Sequence, residues 1–326
     1  MSDIMTMSLD EARTRAAATL TASGAGAVAA ASVARALVLA QADGMGGHGL
    51  MRLASYAAQV RAGKIDGNAR PQLSASLPGA IAVDAANGFA YPALDLAVDR
   101  LIDAARRQGI AFAGVRRSSH CGAMGLFVET LARAGLVALM VANTPAAMAP
   151  WGGRRALFGT NPIACAFPYR EDPLLIDLSL SKVARGHVVA ASQKKAAIPD
   201  DWALDAQGNP TTDALAALAG TMLPAGGAKG ASLALMVEAL AAGVTGAHFA
   251  FNASSFLDDK GPAPATGQLL IALVPDAVGG STAHLAELFA AIEAEPGARL
   301  PGARRFSIRR SAERNGIAVE PGWFTG

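Results

Sequence analysis

Residues 24–29, GAGAVA, match the G-x-G-x-x-A fingerprint of a dinucleotide-binding βαβ unit, and their context rules that unit out. The fingerprint works only where it follows a strand and opens a helix. Here it follows an alanine-rich helical segment that starts at Ser8 and Glu11, which have capping-box spacing. The stretch predicts a helix, a glycine turn at Gly24 and Gly26 with Gly24 as C-cap, and a second helix to about Ala42. Downstream, strands and helices are mixed without a βαβ rhythm, which argues against a doubly wound parallel sheet.

Residues 53–62 predict a helix ending near Gly63, and AIAVDAANG a strand and turn. PALDLAVDRLIDAARRQG has apolar residues at helical spacing and a glycine stop. IAFAGVRRS is an apolar strand that delivers the chain to His120, and MGLFVETLARAG is a helix after it. LVALMVANT, IACAFPY and LLIDLSLS are strands, and residues 192–213, with Pro199 and Pro210, are a polar loop. The GGAKG turn opens a helix over 231–242, followed by a late strand (QLLIALVPD) and a late helix (AHLAELFAAIEAE). The tail is basic, with Arg299, Arg304, Arg305, Arg309 and Arg310. No internal repeat or long linker interrupts the chain.

At 326 residues, 52% of them apolar, the chain can bury a large core and is not disordered. A net charge of +2 gives no reason to expect nucleic acid or an anionic membrane surface as partner. ASLALMVEALAAGVTGA, the most apolar helix candidate, carries Glu238 and falls short of a membrane span. No signal peptide is visible, and two cysteines, Cys121 and Cys165, make neither a disulfide framework nor a metal cluster. No His, Cys and carboxylate cluster has ligand spacing, so no metal is expected. The expectation is a globular, cytoplasmic protein.

The chemistry concentrates in DGMGGHGLMR, Asp43 to Arg52. Imidazole is suited to moving a proton near neutral pH, and guanidinium to gripping a carboxylate with two hydrogen bonds. If the chain turns helical after Gly49, the spacing of four puts His48 and Arg52 on one face. A proton donor beside a carboxylate clamp is what a small keto, hydroxy or imino acid needs; a solvated helix start is the plain alternative. SSHCGAM lies at a strand-to-helix junction, where backbone N–H groups favour an anion and Gly122 permits close approach. Cys121 has no evident base and is a packing residue. Asp177, inside LLIDLSLS, needs a partner if it is buried. Lys229 in GGAKG is not part of a Walker A loop, yet a lysine at a helix start suits a pyrophosphate. A solvated lysine is its plain alternative.

GGHGLMR (46–52), RSSHCGAMG (117–125), FGTNPIACAFP (158–168), LIDLSLSKVARG (175–186) and LPAGGAKGASLALMVEAL (223–240) occur in that order along the chain. Together they make the sequence resemble the malate/L-lactate/L-sulfolactate dehydrogenases, NAD(P)-dependent enzymes without a Rossmann fold. PDDWALDAQGNPTTD (199–213) and MLPAGGAKG look most like the Δ1-pyrroline-2-carboxylate/Δ1-piperideine-2-carboxylate reductases. The resemblance implies an α/β fold: a mostly antiparallel NAD(P)-binding sheet domain over 76–275, and a helical domain from both chain ends, 1–75 and 276–326. It also implies a homodimer.

By the same resemblance His48 is the proton donor, with Asp177 near it or near the nicotinamide ribose, and Arg52, Thr160, Gly186 and His187 contact substrate. His187 is equally well read as a surface histidine. His120, Cys121, Gly122, Ala123, Met124, Leu178, Ser179, Leu180, Lys229 and the segment from Gly302, with Arg304 and Arg305, line the cofactor. The two arginines favour NADPH through its 2′-phosphate, NADH remaining possible; a solvated basic tail is the competing view. The implied activity is reduction of a cyclic imino acid to proline or pipecolate. The alternatives are a 2-keto acid reductase of the same family and a non-catalytic nucleotide binder. The last is motivated by Gly47, which stands where the family has a serine partner for the histidine.

Overall fold

The computed structural model describes residues 4–325. A short strand β1 (Met5–Met7) leads into α1 (Leu9–Ala22), whose start is capped as the sequence predicts: the Ser8 hydroxyl accepts from the Glu11 amide at 3.2 Å. Gly24, at φ +102°, turns the chain into α2 (Ala27–Ala42), which packs against α1. Two short 3-10 turns, Gly46–His48 and Leu50–Arg52, connect it to α3 (Leu53–Arg61). Next come β2 (Gln72–Leu77), β3 (Ala80–Asp84), α4 (Ala90–Gln108), β4 (Ile110–Ser118), α5 (Gly125–Arg133) and β5 (Val137–Ala142). They are followed by β6 (Ile163–Phe167), β7 (Leu174–Leu178), α6 (Arg185–Gln193), β8 (Ala203–Leu204), α7 (Ala214–Ala219) and β9 (Thr221–Met222). The chain closes with α8 (Ala228–Glu238), β10 (Thr266–Leu273), α9 (Thr282–Ala294), α10 (Ala303–Asn315) and β11 (Ile317–Val319).

Seven strands form the main sheet in the order β2-β3-β4-β10-β5-β6-β7. Only β3 and β4 pair in parallel; the other neighbours are antiparallel. This is the mostly antiparallel, non-Rossmann sheet that the family resemblance implies. Late strand β10 sits in its middle, with Leu269 opposite Gly114 of β4 on one side and Val141 of β5 on the other.

Both sheet faces are covered, and the two-residue period of a strand divides them. Leu270 of β10 joins a core built by Leu20, Leu37, Leu53, Leu94, Leu101 and Phe306 from the helices. Its neighbour Leu269 joins a second core with Val141, Met148, Leu180, Met222 and Val237. The terminal helices and one sheet face thus share a single apolar cluster. The chain ends are also joined directly: β1 pairs antiparallel with β11, Met5 opposite Val319.

Three segments depart from the sequence reading. The helix expected over 231–242 begins at Ala228 and passes into a π-helical turn at Ala239–Gly243. The loop 192–213 contains the last turn of α6 and the short strand β8. The basic tail is not a solvated arm: α10 docks on α2, and Phe306 is 2% exposed. Among the described residues no helix is long and apolar enough to cross a membrane.

Candidate active site

Helix α2 ends at the buried Asp43, and Gly44, at φ +75°, redirects the chain into the turn that carries His48. His48 and Arg52 do not share an α-helical face. Gly49, at φ −92° and ψ −149°, separates the two 3-10 turns. Instead the arginine folds back, its Nε donating to the Gly47 carbonyl oxygen at 2.8 Å. The two side chains remain close enough to interact. Burial is the larger cause that lowers the His48 pKa, and the Arg52 charge adds to it. The His48 Nδ1 is buried and has no hydrogen-bond partner. Beside it Gly47 is exposed; a Cβ there would meet nothing within 4 Å, and its φ is not in the left-handed region.

Strand β4 delivers the second histidine. The His120 and His48 rings stack, with centroids 5.6 Å apart and planes 20° from parallel. His120 Nδ1 lies 2.6 Å from the Tyr56 hydroxyl, which lies 3.0 Å from that of Tyr91. Burial, reinforced by Arg52 and His48, holds the His120 imidazole well below its ordinary pKa, so it is neutral. The turn after it is tight. Gly122 is at φ +66°, and a Cβ would run into the Tyr91 hydroxyl. Ala123 and Met124 are buried. Cys121 is buried too, which pushes its thiol up to about 12; that thiol is no nucleophile near neutral pH.

Asp177, near the end of β7, has the partner its burial demands. Its Oδ2 accepts from the Gly125 amide at 2.8 Å and from Arg305 Nη2 at 3.1 Å. Asp177 makes no hydrogen bond to His48; it acts on the imidazole through its charge, which favours the protonated form. Arg305 has protein partners in the structure. It was expected to grip a 2′-phosphate together with Arg304. Its side chain is 10% exposed and is committed to Asp177, to Asp43 at 3.5 Å and to the Met45 sulfur. Arg304 alone faces solvent.

The remaining candidate residues lie on other segments. Thr160 is held by its backbone, its amide donating to Thr144 Oγ1 at 2.9 Å and its carbonyl accepting from the Leu180 amide at 2.8 Å. That second bond ties the GTNP turn to the segment Leu178, Ser179, Leu180, of which Leu178 is exposed and Leu180 buried. Gly186 and His187 lie in the exposed first turn of α6, with His187 against Trp202 at 6.2 Å between centroids. Lys229 is exposed in the first turn of α8, after Gly226 and Gly227 at positive φ. Gly302 caps α10 at φ +90°. The structure therefore gathers His48, Arg52, His120, Asp177 and Arg305 into one centre. It sets His187, Lys229 and Arg304 on exposed helix starts, away from the contacts of that centre.

The profile of the malate/L-lactate dehydrogenase family matches residues 7–325, nearly the whole chain. The chain belongs to this family. It is therefore an oxidoreductase. It is 52% identical over 308 residues to the (2R)-3-sulfolactate dehydrogenase (NADP(+)) of Chromohalobacter salexigens, covering 93% of this chain and 92% of that one. It is 40% identical over 321 residues to the Δ1-pyrroline-2-carboxylate/Δ1-piperideine-2-carboxylate reductase of Pseudomonas aeruginosa, covering 97% of this chain and 96% of that one. The crystal structure of Δ1-piperideine-2-carboxylate reductase from Pseudomonas syringae superposes with a TM-score of 0.92 at 36% identity, covering 98% and 97% of the two chains.

Several residues of this dehydrogenase site escape sequence reasoning. Tyr56 and Tyr91 read as helix core, and nothing local marks their approach to His120. Arg309 reads as part of a basic tail; it spans the buried carboxylates Asp43 and Glu129, with bonds of 2.6 to 2.8 Å. Arg185 lies inside the LIDLSLSKVARG motif, and only in three dimensions is it seen to have no counter-ion among the described residues.

Proposed function

We propose that the protein is an NADP-dependent oxidoreductase interconverting a small 2-hydroxy acid and its 2-oxo acid, whose substrate carries a second anionic group, as 3-sulfolactate does. The observation behind this substrate class is Arg185. It opens α6 beside Gly186 and His187 and is half-buried; its one side-chain bond is a 3.3 Å contact from Nη1 to the Ala146 carbonyl. Burial pulls its pKa below the ordinary arginine value, and no acid answers its charge among the described residues. Ala146 belongs to the loop that also carries Thr144, the partner of Thr160. A desolvated guanidinium without a counter-ion suits a planar or tetrahedral anion. Among the described residues Arg52 has no acidic partner either; its Nε bonds the Gly47 carbonyl. Two such arginines match a dianion better than a monocarboxylate.

In this reading Arg52 holds the carboxylate, Arg185 the second anion, and Thr160 the wall between them. His48 exchanges the proton with the 2-oxygen. Held neutral by burial and by Arg52, it is ready to accept the hydroxyl proton in the oxidative direction, and the Asp177 charge then favours the imidazolium. The residues fit a dinucleotide. The Arg305 Nη1 is buried and unpartnered, and Lys229 and Arg304 are exposed cations with no acidic partner among the described residues. When bound, NADP would supply the hydride acceptor, and His120 to Met124, Leu178 to Leu180, Lys229, Gly302 and Arg304 are the residues that would hold it. The NADP(+) in the name of the 52%-identical relative supports the phosphorylated cofactor.

Reduction of a cyclic imino acid is the second reading, favoured by relatives so named at 35 to 42% identity. Such a substrate has one carboxylate and leaves Arg185 unanswered. The test is Arg185→Gln. We expect KM for 3-sulfolactate to rise by roughly 10- to 100-fold, the scale of a hydrogen bond between charged groups, with KM for lactate little changed. Equal changes for both acids would remove Arg185 from substrate recognition.

A further inference from the structure

The second histidine of the centre is held in a particular way. Its Nδ1 bonds the Tyr56 hydroxyl, which bonds the Tyr91 hydroxyl, and both tyrosines are about 1% exposed. Three protons must be placed on this chain, and only one order satisfies them all. If His120 carried its proton on Nδ1, it would donate to Tyr56, and Tyr56 would have to donate to Tyr91. The Tyr91 O–H would then point into the core with no acceptor, since Tyr56 is its one partner among the described residues. A buried donor left unmade bears its full desolvation cost. In the reverse order Tyr91 donates to Tyr56, Tyr56 donates to Nδ1, and the imidazole carries its proton on Nε2. That nitrogen has no partner among the described residues and is not among the buried unpartnered atoms, so it is accessible to a ligand.

From this geometry we propose that the Tyr91–Tyr56 hydroxyl chain locks His120 as a neutral Nε2–H tautomer, a fixed hydrogen-bond donor to the reacting oxygen of the substrate beside His48. The inference rests on the reading of the His48–Arg52 turn as the reacting centre. Two stacked imidazoles would then divide the work. His48, with a bare Nδ1, changes protonation state; His120, tethered and unable to charge, only donates a hydrogen bond where negative charge develops. The groups around His120 agree. Arg52 opposes a charge on either ring, Phe256 packs against His120 at 5.1 Å, and burial keeps Tyr56 protonated by pushing its phenol up to about 12. Gly122 belongs to the device, because a Cβ there would displace the Tyr91 hydroxyl that starts the chain. Tyr56 and Tyr91 are positioning residues, with no direct part in the reaction.

The chain has five histidines, so the tautomer can be read by 15N NMR of ligand-free protein labelled at histidine, with His120 assigned through the signal lost in His120→Gln. In the wild type we expect a single Nε2–H form of His120 from pH 5.5 to 9. In Tyr56→Phe we expect a mixture of tautomers, with kcat lowered by about tenfold and KM for NADP unchanged. Tyr91→Phe, which keeps the Tyr56–His120 bond but frees its direction, should show the same mixture with a smaller loss of kcat. An Nδ1–H or charged His120 in the wild type would overturn the lock without any variant being needed. So would a Tyr56→Phe protein that loses kcat with an unchanged tautomer, which would be a purely structural effect. Unchanged kcat in His120→Leu, which has no donor, would overturn the donor role. A wild type with the Nε2–H form but no turnover of any 2-oxo acid would uphold the lock and sink the substrate reading, so the two failures are distinguishable.

Discussion

His48 has one bare ring nitrogen, and the reason is its neighbour. Gly47 has no hydroxyl to offer Nδ1, yet the turn has room for one, since a Cβ would meet nothing within 4 Å and φ is not left-handed. Gly47→Ser should therefore fold normally and raise kcat by about tenfold, because one well-placed hydrogen bond is worth on the order of 1 kcal/mol. A stable variant with unchanged kcat and pH profile would show the serine to be dispensable here. The second histidine makes a prediction about pH. The pKa of His120 in the folded protein lies well below its unfolded value near 6.5. Below pH 6.5 the unfolded chain binds a proton that the folded chain refuses, so this contribution is complete above 6.5 and is lost as pH falls. Asp43 and Glu238, whose pKa values burial raises, act in the opposite sense but cancel when two variants are compared. Urea midpoints at pH 7.5 and 5.5 should therefore fall less in His120→Gln than in the wild type, and equal falls would contradict a neutral buried imidazole. His48, Arg52 and Asp177 were legible in the sequence because each sits in a short motif whose residue types announce their chemistry. Tyr56 was not, because its partners Tyr91 and His120 lie 35 and 64 residues away.

Among the elements, α10 shows where sequence reading fails. Its residues, ARRFSIRRSAERN, carry few apolar positions, and Gly302 gives it no side-chain cap. Amphipathic periodicity cannot reveal a helix that docks largely through ions. Its arginines divide the labour by helical position. Arg309 inserts between Asp43 and Glu129, whose side chains are 0% and 6% exposed, while Arg304 stays in solvent. Removing Arg309 strands two buried carboxylates. Arg309→Met should lower stability by about 3 to 5 kcal/mol in chemical denaturation. Arg304→Ala should leave stability unchanged and weaken NADPH while sparing NADH, since only NADPH carries the extra phosphate. Parallel loss of both cofactors would place Arg304 elsewhere on the nucleotide. By contrast α1, α2 and α4 were legible, because Ser8, Gly24 and the glycine after Gln108 mark their ends and their apolar residues repeat at helical spacing.

For the whole molecule, the absence of a βαβ rhythm was enough to exclude a Rossmann sheet, and the antiparallel order agrees. The order itself was not legible. Placing β10 between β4 and β5 depends on pairing across more than a hundred residues, which no local pattern encodes. Substrate choice lies beyond local patterns as well. The 199–213 stretch points to imino acids, whereas the 52%-identical relative is named for sulfolactate and Arg185 has no counter-ion among the described residues. The central claim is that the site takes an acid with two anionic groups. It is tested most directly by kcat/KM with NADPH on 3-sulfopyruvate, pyruvate and Δ1-piperideine-2-carboxylate in one assay. The account predicts that 3-sulfopyruvate exceeds each of the others by at least about tenfold, the worth of one added charged contact. A higher value for Δ1-piperideine-2-carboxylate than for 3-sulfopyruvate would contradict it.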